Sequence, residues 1–188
     1  LTGAVADQLA RDNPRIRVVH NSVNRGLGYN FREGARLAQK QYYTFLSGEG
    51  DVKESSVAAL LAHLGKADLL LSYVGNPEVR PRFRRILSRS YTRLLNALFG
   101  FRLKYYNGVV VYRTADLQAL PLTTASAAAL AEAVIRLLKA GHSYLEFPYE
   151  IERTEGTESF RIKNIAGVLS AVIRLFLKRP GPSRMASK

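Results

Sequence analysis

Cysteine is missing from all 188 residues. No disulfide framework, thiolate zinc site or cysteine nucleophile is therefore possible, which fits a reducing compartment. No apolar run approaches the roughly 18 residues of a membrane-spanning helix, and the first residues lack the basic and apolar regions of a signal peptide. Acid is lacking where the chain is most basic. Val79 to Tyr105 holds eight Lys and Arg with no Asp or Glu, and Arg161 to Lys188 holds seven more, again with none. These fifteen cations exceed the whole net charge of +13, so elsewhere 13 bases face 15 acids. Basicity this local points to a phosphate-bearing partner, which is a nucleotide, a nucleic-acid backbone or an anionic membrane surface.

The length suits one domain with a substantial core. Thr2 to Arg11 reads as a helix end and Ile16 to His20 as a short strand. Asn24-Arg25-Gly26-Leu27-Gly28 then leads into a helix carrying Phe31, Ala35, Leu37 and Ala38. Tyr42 to Leu46 predicts a buried strand, Val57 to Leu64 a helix, and Asp68 to Val74 another strand. After Asn76-Pro77, the apolar residues Phe83, Ile86, Leu87, Tyr91, Leu94, Leu95 and Leu98 recur at helical spacing. Arg84, Arg85, Arg89 and Arg93 lie between them, and Gly100 is placed to end the helix. A solvated helix face usually mixes both signs, so this one-signed face is unusual. Val109 to Tyr112 reads as a strand, Ala125 to Lys139 as an Ala-rich helix ending at Gly141, and Tyr144 to Glu152 as an edge strand marked by Pro148. Strands alternating with helices give an α/β class. We expect a catalytic domain over 1–160, a basic amphipathic helix over 161–179 and a disordered tail over 180–188. Two readings of that helix stay open: an interfacial helix on an anionic membrane, or a helix packed on the sheet.

The densest chemistry is the turn Ser47-Gly48-Glu49-Gly50-Asp51, with two carboxylates one residue apart between a strand and a helix. Ligands of open α/β sheets collect at the carboxyl ends of strands, and hard oxygen ligands suit Mg²⁺ or Mn²⁺. Glu49 and Asp51 are therefore the candidate metal ligands, although taken alone the turn reads more readily as a solvated acidic loop. Gly26 and Gly28 would let a ligand approach the backbone ahead of a helix, or form only a tight turn.

The motifs in order resemble family-2 glycosyltransferases, with the nearer likeness to the polyprenyl-phosphate (dolichyl-phosphate) sugar synthase branch. They are Asn24-Arg25-Gly26-Leu27-Gly28 with Arg32-Glu33-Gly34-Ala35, the Ser-Gly-Glu-Gly-Asp turn, Arg80-Pro81-Arg82-Phe83-Arg84-Arg85, Tyr106-Asn107-Gly108 and Glu146-Phe147-Pro148. The resemblance runs from Ile16 to about Arg179. It implies a GT-A fold with a mostly parallel sheet, and inverting, metal-assisted transfer of a sugar from a nucleotide-diphosphate donor to a lipid phosphate. Glu49 and Asp51 fall at the family's Asp-x-Asp-type metal motif, with Glu in first place. The resemblance puts Asn24, Gly26, Gly28 and Gly48 on the donor side, and Arg80, Arg82 and Arg85 among the catalytic cations near the acceptor. Tyr106 and Asn107 join them there. Arg153, Gly156, Ser159 and Arg161 resemble the late motif that closes over the diphosphate in relatives.

A phosphate acceptor is already an anion near neutral pH, its second pKa being about 6, so no strong general base is needed. Glu132 could serve as one if it faced the cleft, but a solvated helix position is the expectation. The family's first strands, with a Pro-x-Tyr-Asn-Glu-type motif, have no counterpart here, and the chain begins at Leu1. We therefore expect an N-terminally truncated transferase with little donor affinity of its own, peripheral on the cytoplasmic face of a membrane. A degenerate or non-catalytic membrane-docking scaffold is the first alternative. A basic nucleic-acid-binding module is the second, with no recognised nucleic-acid motif to support it.

Overall fold

The computed structural model describes residues 2–48 and 50–152. The expectations on Glu49, Arg153, Gly156, Ser159 and Arg161, the helix over 161–179 and the tail over 180–188 lie outside those residues.

Four strands, β1 (Tyr42–Thr44), β2 (Leu69–Val74), β3 (Val110–Arg113) and β4 (Tyr144–Tyr149), form one sheet in the order β1-β3-β2-β4. β3 runs antiparallel to both of its neighbours, whereas β2 and β4 pair in parallel, Leu69 opposite Tyr144 through Val74 opposite Tyr149. Three strands thus point the same way around one reversed strand. β4 is an edge strand, which is why Pro148, unable to donate to a ladder, is tolerated in it.

Helices cover both faces of the sheet. α2 (Leu27–Leu37), α4 (Arg82–Phe99), α5 (Thr114–Gln118) and α6 (Ala128–Lys139) supply Phe31, Leu95, Leu117 and Val134 to a core that includes Leu69, Leu71, Val110 and Tyr112. On the other face α3 (Glu54–Leu61) brings Leu60 against Leu70, Val109 and Val111. Alternate residues of one strand enter opposite cores, so β2 reads as a continuous Leu run rather than an alternating one. α1 (Thr2–Asp12) buries no residue.

α4 ends where expected. Gly100 takes φ +77°, and its N–H donates to the Asn96 carbonyl at 2.9 Å. The Asn96 amide then folds the following loop back. Its Nδ2 donates to Leu103 O at 2.8 Å, while its Oδ1 accepts from Leu103 N at 3.1 Å and from the Tyr106 hydroxyl at 2.8 Å.

Several expectations change. Ile16 to His20 forms no strand, and Ile16 (40% exposed) and Val19 (52%) face solvent. A strand exists only through its ladder, and β-propensity there finds no partner among the described residues. β1 is three residues long and half-buried rather than a buried five-residue strand, because it pairs on one edge only. A 3-10 turn at Pro77–Val79 and the short α5 were not anticipated. No helix among the described residues is long and apolar enough to cross a membrane.

Candidate active site

The carboxyl ends of β1, β2 and β4 gather the side chains that carry chemistry. After β4 the chain turns back to the acidic loop: Glu152 N donates to Asp51 O at 2.9 Å, Lys53 N to Glu150 O at 3.2 Å, and Val52 forms a bridge with Ile151. Asn76, just past β2, clamps the same point, donating to Ile151 O at 2.8 Å and accepting from Ile151 N at 3.0 Å. Asp51 is thereby fixed at the rim of the sheet. Its Oδ1 is buried with no hydrogen-bond partner among the described residues. A buried carboxylate oxygen left without a donor is costly, and a hard cation is the ligand that would satisfy it. Asp51 is suited to be one ligand of Mg²⁺ or Mn²⁺, and among the described residues no group of three or more carboxylates or imidazoles gathers with it.

Beside this rim lies a cavity of about 140 Å³, opening between the end of β2, the first turns of α4 and the loop after it. Arg80, Arg85, Arg89 and Lys104 line it with Tyr73 and Tyr105, and no carboxylate is among the described residues of its walls. The Lys104 ammonium sits 4.2 Å from the Tyr73 ring centroid, where the ring quadrupole holds it without neutralising it. Arg80 is half-buried and donates to the Tyr105 hydroxyl at 3.3 Å. Burial works against its charge, but the tyrosines on both sides outweigh that and leave it more basic than an ordinary arginine. The Tyr149 hydroxyl is pushed up to about 12, first by burial and then by Tyr105 and Asp51, against the opposing pull of Arg80. It therefore remains a neutral hydrogen-bonding group at neutral pH.

Of the expected acceptor-side cations, Arg80 and Arg85 meet in this cavity, whereas Arg82 is exposed and does not line it. Tyr106 is 1% exposed and belongs to the core, and Asn107 is exposed outside the cavity. Arg89 and Lys104 are added. Both lie in the acid-free segment, and that absence of acid was the signal for them. Tyr149 gave no sequence signal beyond strand alternation.

The glycine turn has a different neighbour from the one expected. Asn24 Oδ1 accepts from Gly26 N at 2.9 Å, and Gly26 takes φ +80°. The Gly28 N–H donates to Ala125 O at 3.0 Å, and a Cβ there would lie 2.5 Å from Ser126 O. Gly28 is thus required by close packing on the 125–126 backbone. Gly48 is exposed beside Asp51's loop with open space where a Cβ would point.

Glu132 overturns its expectation. It is 0% exposed rather than solvated. Its carboxylate accepts from Thr123 N at 3.4 Å, Thr124 N at 3.0 Å and Arg136 Nε at 2.9 Å, which commits it to holding the 122–126 turn.

The family model described as glycosyl transferase family 2 matches residues 1–117. The chain belongs to that family. This family-2 chain also resembles solved structures of glucosyl-3-phosphoglycerate synthase from Mycobacterium tuberculosis. One, in complex with Mg²⁺ and UDP, superposes with a TM-score of 0.58 at 14% identity, covering 89% of this chain and 57% of that one. Another, with UDP, gives 0.59 at 13% identity over 91% and 60%. A third, with Mn²⁺, UDP-glucose and phosphoglyceric acid, gives 0.55 at 13% over 89% and 57%. The family-2 chain spans somewhat over half the length of these structures, and the match establishes the expected GT-A fold. No curated protein matches the sequence.

Proposed function

We propose that this family-2 chain provides the acceptor and catalytic half of a glycosyltransferase that moves a sugar, with inversion, from a nucleotide-diphosphate donor to a phosphate-bearing acceptor. The acceptor we assign is a polyprenyl-type lipid phosphate at an anionic membrane surface. The observation that carries this reading is the cavity whose described lining residues include four cations and no carboxylate.

Arg80, Arg85, Arg89 and Lys104 would bind and orient the acceptor phosphate. One of its oxygens forms the new bond to the anomeric carbon as the bond from that carbon to the donor phosphate breaks, and the nucleotide diphosphate departs. No proton need move, because the attacking oxygen is already anionic. This accounts for a site without a general base among the described residues, and leaves positioning and electrostatics as the means of catalysis. A divalent cation, when bound, would neutralise charge on the departing diphosphate. Asp51 is the described residue fitted to hold it.

The outer side of α4 supports the lipid assignment. Phe83 is 73% and Ile86 63% exposed, and the exposed Arg82, Arg89 and Arg93 lie on the same helix. Apolar residues flanked by arginines suit the interface of an anionic bilayer. The cytoplasmic leaflet carries the negative surface potential, so we place the protein there peripherally. The similar structure with phosphoglyceric acid and the modest cavity favour a second reading, a small water-soluble phosphate ester as acceptor. Titration of farnesyl phosphate in neutral bicelles against 3-phosphoglycerate separates the two. Tighter binding of farnesyl phosphate, lost in Arg85→Glu, is expected. Equal or tighter binding of phosphoglycerate would overturn the lipid assignment, and binding of neither would overturn the pocket.

A further inference from the structure

Of the motif Glu146-Phe147-Pro148, the glutamate has so far no role. It stands on β4 opposite Leu71, and Pro148 stands opposite Tyr73. Alternation along the strands therefore puts Glu146 on the same face as Leu71 and Tyr73, at the edge of the sheet. Its half-buried carboxylate accepts the backbone N–H of Lys104 at 2.7 Å, in the short range of charge-assisted hydrogen bonds. The contact is to the main chain of a lysine and not to its charge. The Lys104 ammonium lies instead 4.2 Å from the Tyr73 ring centroid, and among the described residues it forms no ion pair. A carboxylate set on the ammonium would orient it but offset the charge that attracts a phosphate. Set on the N–H, it fixes where the side chain begins, and the ring fixes where it ends.

The rest of the loop is tied from other sides. Asn96 of α4 bonds Leu103 N and O and the Tyr106 hydroxyl. Further on, a Cβ at Gly108 would collide with the Ser72 carbonyl oxygen, so the loop returns tightly onto β2. The side chains presented between these ties, Lys104 and Tyr105, line the cavity. We infer that Glu146 is a positioning residue, which ties this loop to β4 so that the Lys104 ammonium meets a bound phosphate with its charge intact. This rests on the proposed function for what the anion is, but not for the tie itself. Supporting hydrogen bonds from a strand hold a loop-borne group more precisely than the loop alone would.

The test uses the whole 188-residue chain and two readouts. One is calorimetric titration with inorganic phosphate. The other is the ¹H–¹³C resonance of the Lys104 ε-methylene, assigned by Lys104→Met, which the Tyr73 ring current should shift upfield in the wild type. Glu146→Ala should return that resonance to the ordinary lysine position and weaken phosphate binding by about tenfold, the scale of one contact to a charged group. Glu146→Gln loses the charge but keeps an oxygen acceptor, and should retain the shift and most of the affinity. It also keeps the test decisive if the Ala variant does not fold. In a Lys104→Met background Glu146→Ala should cost little further affinity, because the two act through one group. A carboxylate acting only by its charge predicts the opposite sign, tighter phosphate binding in both the Ala and the Gln variants. That result, or an unmoved methylene in Glu146→Ala, would overturn the inference. A methylene that moves in Glu146→Ala but not in Glu146→Gln, in a protein whose wild type binds no phosphate, would uphold the tie and overturn the pocket reading.

Discussion

α4 and α6 read alike in sequence, both apolar at helical spacing and both ending near a glycine, yet they do opposite jobs. In α6 eight of twelve residues are buried, Glu132 included, and it stands as a pillar of the core. In α4 only Thr92 and Leu95 of eighteen are buried. The difference lies in what the remaining residues are. Alanine lets α6 sit close to α2 and α5, so even a carboxylate can be enclosed if its partners come with it. Arginine and Phe83 hold most of α4 away from the core. The helix is anchored by a few side chains and leaves its first turns to line the cavity and its outer side to face solvent. A spacing pattern says that a helix is amphipathic, not how deep it sits.

Breaking α6 should cost most. Glu132→Ala removes the acceptor for Thr123 N and Thr124 N and leaves Arg136, 16% exposed at its side chain, without its ion-pair partner. Loss of one partner of a buried pair is expected to destabilise by about 3–5 kcal/mol, read by urea denaturation. Leu95→Ala, at the 0% exposed anchor of α4, should cost about 2–5 kcal/mol. A loss well under that would mean that α4 is held some other way.

Asp68 probes the junction beyond α6. It accepts from the Ser143 hydroxyl at 2.6 Å and from Ser143 N at 2.8 Å, and pairs with Arg113 at 3.0 Å. The Ser143 hydroxyl, then the Ser143 N–H, hold its carboxyl below the usual range. A depressed carboxyl contributes stability above its unfolded pKa of about 3.9 and loses it as pH falls through the folded value. Asp68→Asn should therefore melt lower than wild type at pH 7, with the gap closing below about pH 4. Thermal scans across pH 2–7 check this, and a constant gap would contradict it. The smallest effect on stability belongs to Phe83→Ser on the exposed side of α4, within about 0.5 kcal/mol. Co-sedimentation with anionic vesicles should nonetheless fall. Unchanged sedimentation would leave α4 as a merely solvated helix.

Much of this was legible in advance. The spacing from Phe83 to Leu98 with Gly100 placed α4, and the apolar run from Asp68 to Val74 placed β2. The missing acid between Val79 and Tyr105 marked the cavity's cations before any cavity was known. Three things were not legible. Ile16 to His20 has the composition of a strand, but strand formation depends on a neighbour that composition does not report. Gly28 suited ligand approach as well as close packing, and only the position of the 125–126 backbone distinguishes them. Glu132 reads as a surface glutamate unless Thr123, Thr124 and Arg136 are known to converge on it.

The sequence by itself determined the alternation of strands and helices, the acidic turn ending in Asp51 and the one-signed charge of α4, because these rest on local pattern and composition. Only the tertiary structure decided that Arg80 meets the Tyr105 hydroxyl, that Glu132 is enclosed, and that Tyr106 serves the core while Lys104 serves the cavity. Those are facts of convergence between residues distant in the chain. Burial and charge compensation depend on who the neighbours are, and a linear sequence does not state them.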